Sequence, residues 1–285
     1  MNRPICLITG ATSGIGKATA LALAKKDHRL ILIGRNEEKT ARVCEEIGRM
    51  SRNENVSYYV CDLSVVRDMR GVAARIKEDH ARIDVLINNA GARFLRHQLT
   101  KEGVEMTLAT NHRGHYVLTL SLIDIMKGSE QARIVNVSSG AHYAGTGVIE
   151  NILSARDYDG KKQYANSKLA NVLFTYALAE KLKGTGIAVN AVDPGGVATN
   201  FARNNGLRHW LSHRIYYCSK RQLLTPAQGA ESVVYLASSD DVKGITGKYF
   251  MNKAEKKSSV ISHDKAIQEK LWALGVELSG IDFAK

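Results

Sequence analysis

One pattern recurs six times along the chain: a short apolar run, a cluster of turn residues, then an amphipathic stretch. The runs are Pro4–Thr9 (PICLIT), Leu30–Ile33, Val56–Val60, Asp84–Ile87, Arg133–Val137 and Ile187–Val192, each four to six residues long. Gly16–Lys26, Glu37–Met50, Val66–Asp79, Glu102–Lys127 and Tyr164–Lys183 lie between or behind them with helical character. Pro226–Ser238 is a further helix and Gly247–Met251 a short last strand. Brief apolar strands separated by helices build parallel βαβ units. The expected fold is therefore α/β, a doubly wound parallel sheet of Rossmann type with helices on both faces. Such sheets bind ligands outside the carboxyl ends of their strands. Nothing in the 285 residues reads as a repeat, linker or low-complexity segment, which implies a single domain over residues 1–285. Within it, residues 197–225 form a substrate-covering segment and residues 252–285 a C-terminal extension. Asn252–Ser259 is expected as loop.

The bulk properties narrow the partners. The formal net charge is +12, which raises the question of a polyanion. The lysines and arginines are scattered, without a basic block or an aromatic-interleaved stripe, so no nucleic-acid partner is expected. Cys6, Cys44, Cys61 and Cys218 include no CxxC pair, and the histidines no HExxH, so neither a zinc site nor any other metal is expected. Reduced thiols fit a cytoplasmic protein. The first strand begins so early that no signal peptide is expected before it, and no run nears the ~18 apolar residues of a membrane span. His112 and His115 lack an acidic third ligand and are assigned surface or packing roles.

The first strand runs directly into Thr9-Gly10-Ala11-Thr12-Ser13-Gly14-Ile15-Gly16. Gly10 permits a sharp turn, Gly14 lets the backbone approach a diphosphate, and Gly16 allows close helix–strand packing. Amides at the helix start then face the anion. A plain strand–helix turn would also use glycine; placement after the first strand favours the dinucleotide. The second strand ends in Gly34-Arg35-Asn36. A carboxylate there would accept from the ribose 2′-hydroxyl of NAD, whereas Arg35 can pair with a 2′-phosphate, with Lys17 as a second cation. NADP(H) is the expected cofactor. Asp62, ending the third strand, can accept from the adenine amino group with Leu63 against the ring, or can cap the next helix.

These motifs, with Asn88-Asn89-Ala90-Gly91, Asn111, Ser138-Ser139, Tyr164-Ala165-Asn166-Ser167-Lys168 and Asp193–Thr199, resemble the short-chain dehydrogenase/reductase family from Ile5 to about Phe250. Thr110–His115, Arg133–Ser139, Ser167–Asn171, the 25-residue gap from Ser139 to Tyr164 and the segments Lys270–Trp272 and Glu277–Gly280 are most similar to its retinol-dehydrogenase-type branch. That branch often carries an amino-terminal membrane anchor, which is not expected here, and Arg93 and Arg96 stand where more apolar residues are expected.

Residues four apart share a helix face, so Tyr164 and Lys168 point the same way. A cation beside a tyrosine favours its phenolate and brings a pKa of ~10 toward neutrality, fitting it for general acid/base work. Ser139 can hydrogen-bond a substrate oxygen and stabilise alkoxide charge. The resemblance implies that Lys168 also holds the nicotinamide ribose, that Asn111 orients a proton-relay water, and that Ser139 rather than Ser138 is catalytic. It further implies that Thr12, Ser13, Ile15, Asn89, Ala90, Gly91, Pro194, Gly195, Val197 and Thr199 join the cofactor site. The implied reaction is hydride transfer between NADP(H) and a carbonyl or alcohol. A protein that binds NADP without turnover, and a protochlorophyllide-reductase-like enzyme, share the fold. Related proteins pack the helices around Glu102–Lys127 and Tyr164–Lys183 into dimers or tetramers, and the oligomeric state stays open.

Asn200–Leu224 supplies Trp210, Leu211, Ile215, Tyr216 and Tyr217 as pocket residues and Arg203, Arg208, His209, Arg214, Lys220 and Arg221 as positive charge. An anionic carbonyl substrate, weak contact with an anionic membrane surface and an ordinary solvated lid are the three readings of that segment.

Overall fold

A computed structural model describes residues 3–147, 158–198, 201, 205–206 and 223–283. Its centre is one eight-stranded sheet in the order β3-β2-β1-β4-β5-β6-β7-β8. The strands are β1 (Ile5–Thr9), β2 (Arg29–Gly34), β3 (Val56–Val60), β4 (Val85–Asn88), β5 (Arg133–Val137), β6 (Ala188–Asp193), β7 (Lys248–Met251) and β8 (Ala254–Lys256). All neighbours pair in parallel except β7 and β8. The chain winds outward from β1 to β3, then returns to place β4 on the other side of β1. A crevice opens where the winding reverses, at the carboxyl ends of β1 and β4.

Strand period sends alternate side chains to opposite faces. Ile5 and Leu7 join one apolar layer with α3 (Val66–Asp79), α5 (Gly114–Met126) and α6 (Gly160–Lys181). Cys6 and Ile8 join the other, with α1 (Gly14–Ala24), α2 (Glu37–Ser51) and α7 (Pro226–Ser238). Both faces are covered, which is why the strands read as continuous apolar runs.

The fold agrees with the sequence reading, with three local differences. The fourth long helix starts later than Glu102: Glu105 caps a short turn, α4 (Met106–Leu108), by accepting the amides of Thr107 and Leu108. A π-helical segment, Ala109–Arg113, then leads into α5. In α6 the opposite holds. Asp159 accepts the amides of Lys161 and Lys162, so the helix begins at Gly160, a turn before Tyr164. Finally, Asn252–Ser259 is not simply loop. Asn252 and Lys253 both take positive φ (53° and 60°), the signature of a tight hairpin, and β8 pairs back on β7.

The extension ends in α8 (Lys265–Ser279), capped by Asp264 and stopped at Gly280 with φ of 64°. Its Trp272 ring lies 5.3 Å from Tyr116 on α5 and 6.1 Å from Phe174 on α6. Among the described residues no helix is long and apolar enough to cross a membrane.

Candidate active site

The glycine turn after β1 is held from two sides. Gly10 donates its amide to Ile33 on β2 (3.0 Å). Thr9 Oγ1, wholly buried, accepts the amides of Asn89 (2.9 Å) and Ala90 (3.0 Å) beyond β4. Asn89 Nδ2 returns a bond to the Thr9 carbonyl (2.8 Å). Gly10 has φ of 66°, and a Cβ there would stand 2.8 Å from Ala90 Cα. A Cβ on Gly16 would overlap the Gly10 carbonyl and the Asn89 amide. Ser13, at the cap position of α1, makes no side-chain capping bond, and the first turn contains no acid. The opening amides of α1 therefore have no side-chain acceptor from the cap residue, the condition for anion binding at a helix start.

A cleft of about 770 Å³ runs along these strand ends. Gly10, Thr12–Gly16, Arg35, Asp62, Leu63 and Asn89–Gly91 line one half. Ser139, Tyr164, Lys168, Pro194, Gly195 and Val197 line the other. Arg35 is exposed on the wall just ahead of Asn36, which caps α2 by accepting the Lys39 amide. Lys17 does not join it. Its ammonium pairs with both oxygens of Glu46 (2.7 Å each), tying α1 to α2. Asp62 spends one oxygen on the amide and hydroxyl of Ser64 (2.9 and 2.8 Å) and does not cap the next helix as the alternative reading expected, the cap position being Val65. Thr199 lies outside the described residues, as do Trp210 and the cations of 207–222.

Lys168 is 3% exposed, and its Nζ donates to the Val137 carbonyl at 3.0 Å. Burial lowers its pKa to about 8, with the Asp193 carboxylate acting in the opposite direction. Nζ lies 5.7 Å from the centroid of the Tyr164 ring. The two serines differ in surroundings. Ser138 Oγ is buried and donates to the Lys168 carbonyl (2.8 Å), locking β5 to α6. Ser139 is partly exposed on the cleft, its Oγ accepting the Ala141 amide (3.2 Å) while its own proton is free for donation.

Asn111 is fully buried on the π-helical segment and does not line the cleft. Its amide pairs with both backbone groups of Ala92 (2.7 and 2.9 Å) and donates to Ser167 Oγ (2.9 Å). The side chain thus fastens the turn after β4 to α6. Asn111 Oδ1 and Lys168 Nζ both come within 3.5 Å of where a Cβ on Gly91 would sit, so they share one corner.

Three features were not anticipated. His142, in a 3₁₀ turn (Gly140–Ala144), bonds through Nδ1 to the Ser139 carbonyl (2.8 Å) and accepts the Ser259 amide at Nε2 (3.1 Å). That pair of partners fixes a neutral Nδ1–H tautomer, and desolvation lowers its pKa further from the ordinary value. Asn88 Nδ2 bridges Asn136 Oδ1 and Thr119 Oγ1 (2.8 Å each), and Asn136 continues to Thr175 (2.9 Å). Beyond Tyr164, the Phe201 ring stands 5.1 Å away edge-on, with the Arg93 guanidinium 5.9 Å from Phe201. His112 and His115 are buried packing residues rather than surface ones, and desolvation holds both pKa values below the ordinary range, that of His112 at about 4.

Comparison with known proteins places this geometry. The family model described as short chain dehydrogenase matches residues 4–209. Retinol dehydrogenase 13 of Homo sapiens is 36% identical over 279 residues, covering 97% of this chain and 84% of that protein. A solved structure of an uncharacterized protein from Mycobacterium paratuberculosis superposes with a TM-score of 0.80 at 28% identity, covering 99% of this chain and 95% of that one. Actinorhodin polyketide ketoreductase, solved with NADPH, superposes with a TM-score of 0.71 at 28% identity, covering 88% and 95%. The chain belongs to the short-chain dehydrogenase family of oxidoreductases, in its retinol-dehydrogenase-like branch.

Proposed function

We propose that the chain transfers hydride between NADP(H) and a carbonyl or alcohol, with Tyr164 as the general acid/base. The observation that carries this reading is the Lys168 ammonium 5.7 Å from the Tyr164 ring, on the same cleft as the glycine turn. The cleft suits a dinucleotide: the α1 start lacks a side-chain cap, and Gly10 and Gly16 tolerate no side chain. Gly10, Gly14 and Gly16, with Thr12, Ser13 and Ile15, would hold the diphosphate, and Arg35 the 2′-phosphate of NADP. Asn89–Gly91, Asp62 and Leu63 would flank the adenosine side, and Pro194, Gly195, Val197 and Thr199 the nicotinamide. The NADPH-bound ketoreductase supports the choice of cofactor. When bound, the nicotinamide supplies or accepts the hydride.

The protein supplies position and proton. The Lys168 cation favours the Tyr164 phenolate, so the phenol gives its proton more readily to a carbonyl oxygen that gains charge. Ser139 Oγ donates to that same oxygen and stabilises the developing alkoxide. In the reverse direction, the phenolate takes the alcohol proton. The Asn111 side-chain amide is committed to Ala92 and Ser167, so in this reading it positions the turn after β4 against α6.

Tyr164→Phe tests the assignment. The variant should bind NADPH as the wild type does and lose carbonyl reduction by about 10²-fold or more. Retention of most of the activity with cofactor still bound would remove Tyr164 from the chemistry.

A further inference from the structure

His142 is wholly buried and does not line the cleft, yet both of its ring nitrogens are bonded. Nδ1 donates to the Ser139 carbonyl at 2.8 Å, alongside the His142 backbone amide at 3.0 Å. The ring is confined between Tyr143 and Tyr249, whose centroids lie 4.0 and 4.8 Å away. The Tyr249 hydroxyl in turn donates to Asp193, at the end of β6, at 3.3 Å. Desolvation lowers the pKa of His142 from the ordinary 6.5, so the imidazole is neutral at pH 7 and Nε2 can accept.

The donor to Nε2 is the Ser259 amide, 3.1 Å away in the C-terminal extension. That extension is seated on the same helix that carries Tyr164 and Lys168. Tyr176 of α6 shares a hydrogen bond with Ser258 Oγ at 2.6 Å, and Ser258 Oγ another with Ser262 at 2.7 Å. Tyr143 donates to the Lys257 carbonyl, a second tie two residues before Ser259. A Cβ on Gly147 would stand 2.5 Å from Ile261, so the extension also lies directly against the end of the turn that follows Ser139.

We infer that His142 is a positioning residue for Ser139, with Ser259 as its brace, and that the C-terminal extension thereby sets where the Ser139 hydroxyl meets the substrate oxygen. This rests on the hydride-transfer reading above and adds a residue to it. Packing alone would not call for both ring nitrogens. The Ser139 carbonyl already has the His142 amide, and a plain phenyl ring would fill the space between the tyrosines. The second bond fixes the direction of that carbonyl, and with it the adjoining Cα–Cβ bond that aims Oγ. A misplacement of ~1 Å in a reacting group can cost 10²-fold in rate.

The test separates the two bonds. An asparagine amide reaches the place of Nδ1 and a glutamine oxygen that of Nε2, so His142→Asn keeps the Ser139 bond and His142→Gln keeps the Ser259 bond. NADPH absorbance reports kcat and KM for the full chain with the best substrate of an aldehyde and ketone panel, and fluorescence reports NADPH binding. His142→Gln should lower kcat about tenfold and His142→Asn by no more than about threefold, with KM for NADPH within about twofold of wild type in both. His142→Gln is then combined with Ser139→Ala. There it should cost less than about twofold, because the hydroxyl it positions is gone. Equal losses in the two His142 variants, or a tenfold loss that persists in Ser139→Ala, overturns this inference and leaves the hydride-transfer reading intact. Wild-type kcat in His142→Gln, or loss of NADPH binding by it, does the same. Wild-type kcat in Ser139→Ala removes the role of the serine and this inference with it. Absence of NADPH-dependent turnover by the wild type across the panel overturns both the reading and the inference.

Discussion

Lys168→Met should make the protein without cofactor more stable at neutral pH while abolishing activity. An ammonium that burial takes from 10.5 down to about 8 is held in the folded state against a penalty of about 2.5 pKa units, or about 3 kcal/mol. Methionine has a similar shape and needs no solvation. The lost hydrogen bond to the Val137 carbonyl offsets about 1 kcal/mol of the gain. That carbonyl is not orphaned, because Asn171 Nδ2 also donates to it at 3.3 Å. The net gain at pH 7 is therefore about 2 kcal/mol.

The pH dependence separates this account from a packing effect. Below the folded pKa both states hold the lysine proton, and the penalty is fully present. Between about 8 and 10.5 the unfolded chain binds the proton more tightly than the folded one, so this group makes the protein more stable as pH rises. Other groups work against it. Cys61 and Tyr59, whose pKa values burial pushes up to about 12, ionise first in the unfolded chain, so their contribution falls as pH rises through 9 and 10. Subtracting wild type from variant cancels them. Urea unfolding of the two proteins at pH 7 and pH 10 should show the advantage of methionine disappearing at the higher pH. A variant less stable than wild type at pH 7, or a difference that does not change with pH, would refute the reasoning.

Two further substitutions probe the cofactor half. Arg35→Ser should lower the ratio of kcat/KM with NADPH to that with NADH by about tenfold or more, since it removes the cation beside the expected 2′-phosphate site; an unchanged ratio would take Arg35 out of cofactor choice. Thr9→Val keeps the side-chain shape but orphans the partly buried amides of Asn89 and Ala90, at about 1 to 3 kcal/mol each before any gain from the added methyl. Unfolding free energy should drop by roughly 2 to 4 kcal/mol and NADPH affinity should weaken, measured by denaturant titration and by fluorescence; wild-type values in both would show that this bond does not hold the turn.

What could be read from the sequence was whatever depends on local spacing. The strands announced themselves because burial on both faces leaves them apolar throughout, and Tyr164 and Lys168 because a four-residue interval fixes a shared helix face. The choice of Ser139 over Ser138 followed a motif; that Ser138 is buried and tied to the Lys168 carbonyl while Ser139 lines the cleft was not readable from spacing. Partners far apart in sequence were not readable. Lys17 looked like a second phosphate cation until Glu46 was placed 29 positions away on the neighbouring helix. His142 gives no spacing signal at all, since its partners are a backbone carbonyl three residues back and an amide 117 residues on. The β7–β8 hairpin gives no sequence signal because its turn uses Asn252 and Lys253 at positive φ rather than glycine.

The buried asparagines show how such unreadable contacts set the chemistry. Asn88 and Asn136 are opposite each other in the β4–β5 register and joined side chain to side chain, with Thr119 of α5 and Thr175 of α6 at either end. A slip of one residue between the strands would send one asparagine to the other face of the sheet, leaving buried polar groups from two strands and two helices without partners. Apolar neighbours would tolerate that slip far better. The ladder therefore fixes the height of β4 against β5. Asn89–Gly91 follow directly on Asn88, and Ser139 stands three residues beyond Asn136. The distance between the Asn89–Gly91 turn and Ser139, both on the cleft, is consequently set by side chains buried in the sheet, and the proposed hydride transfer, which needs donor and oxygen ligand in one geometry, would have its ruler there.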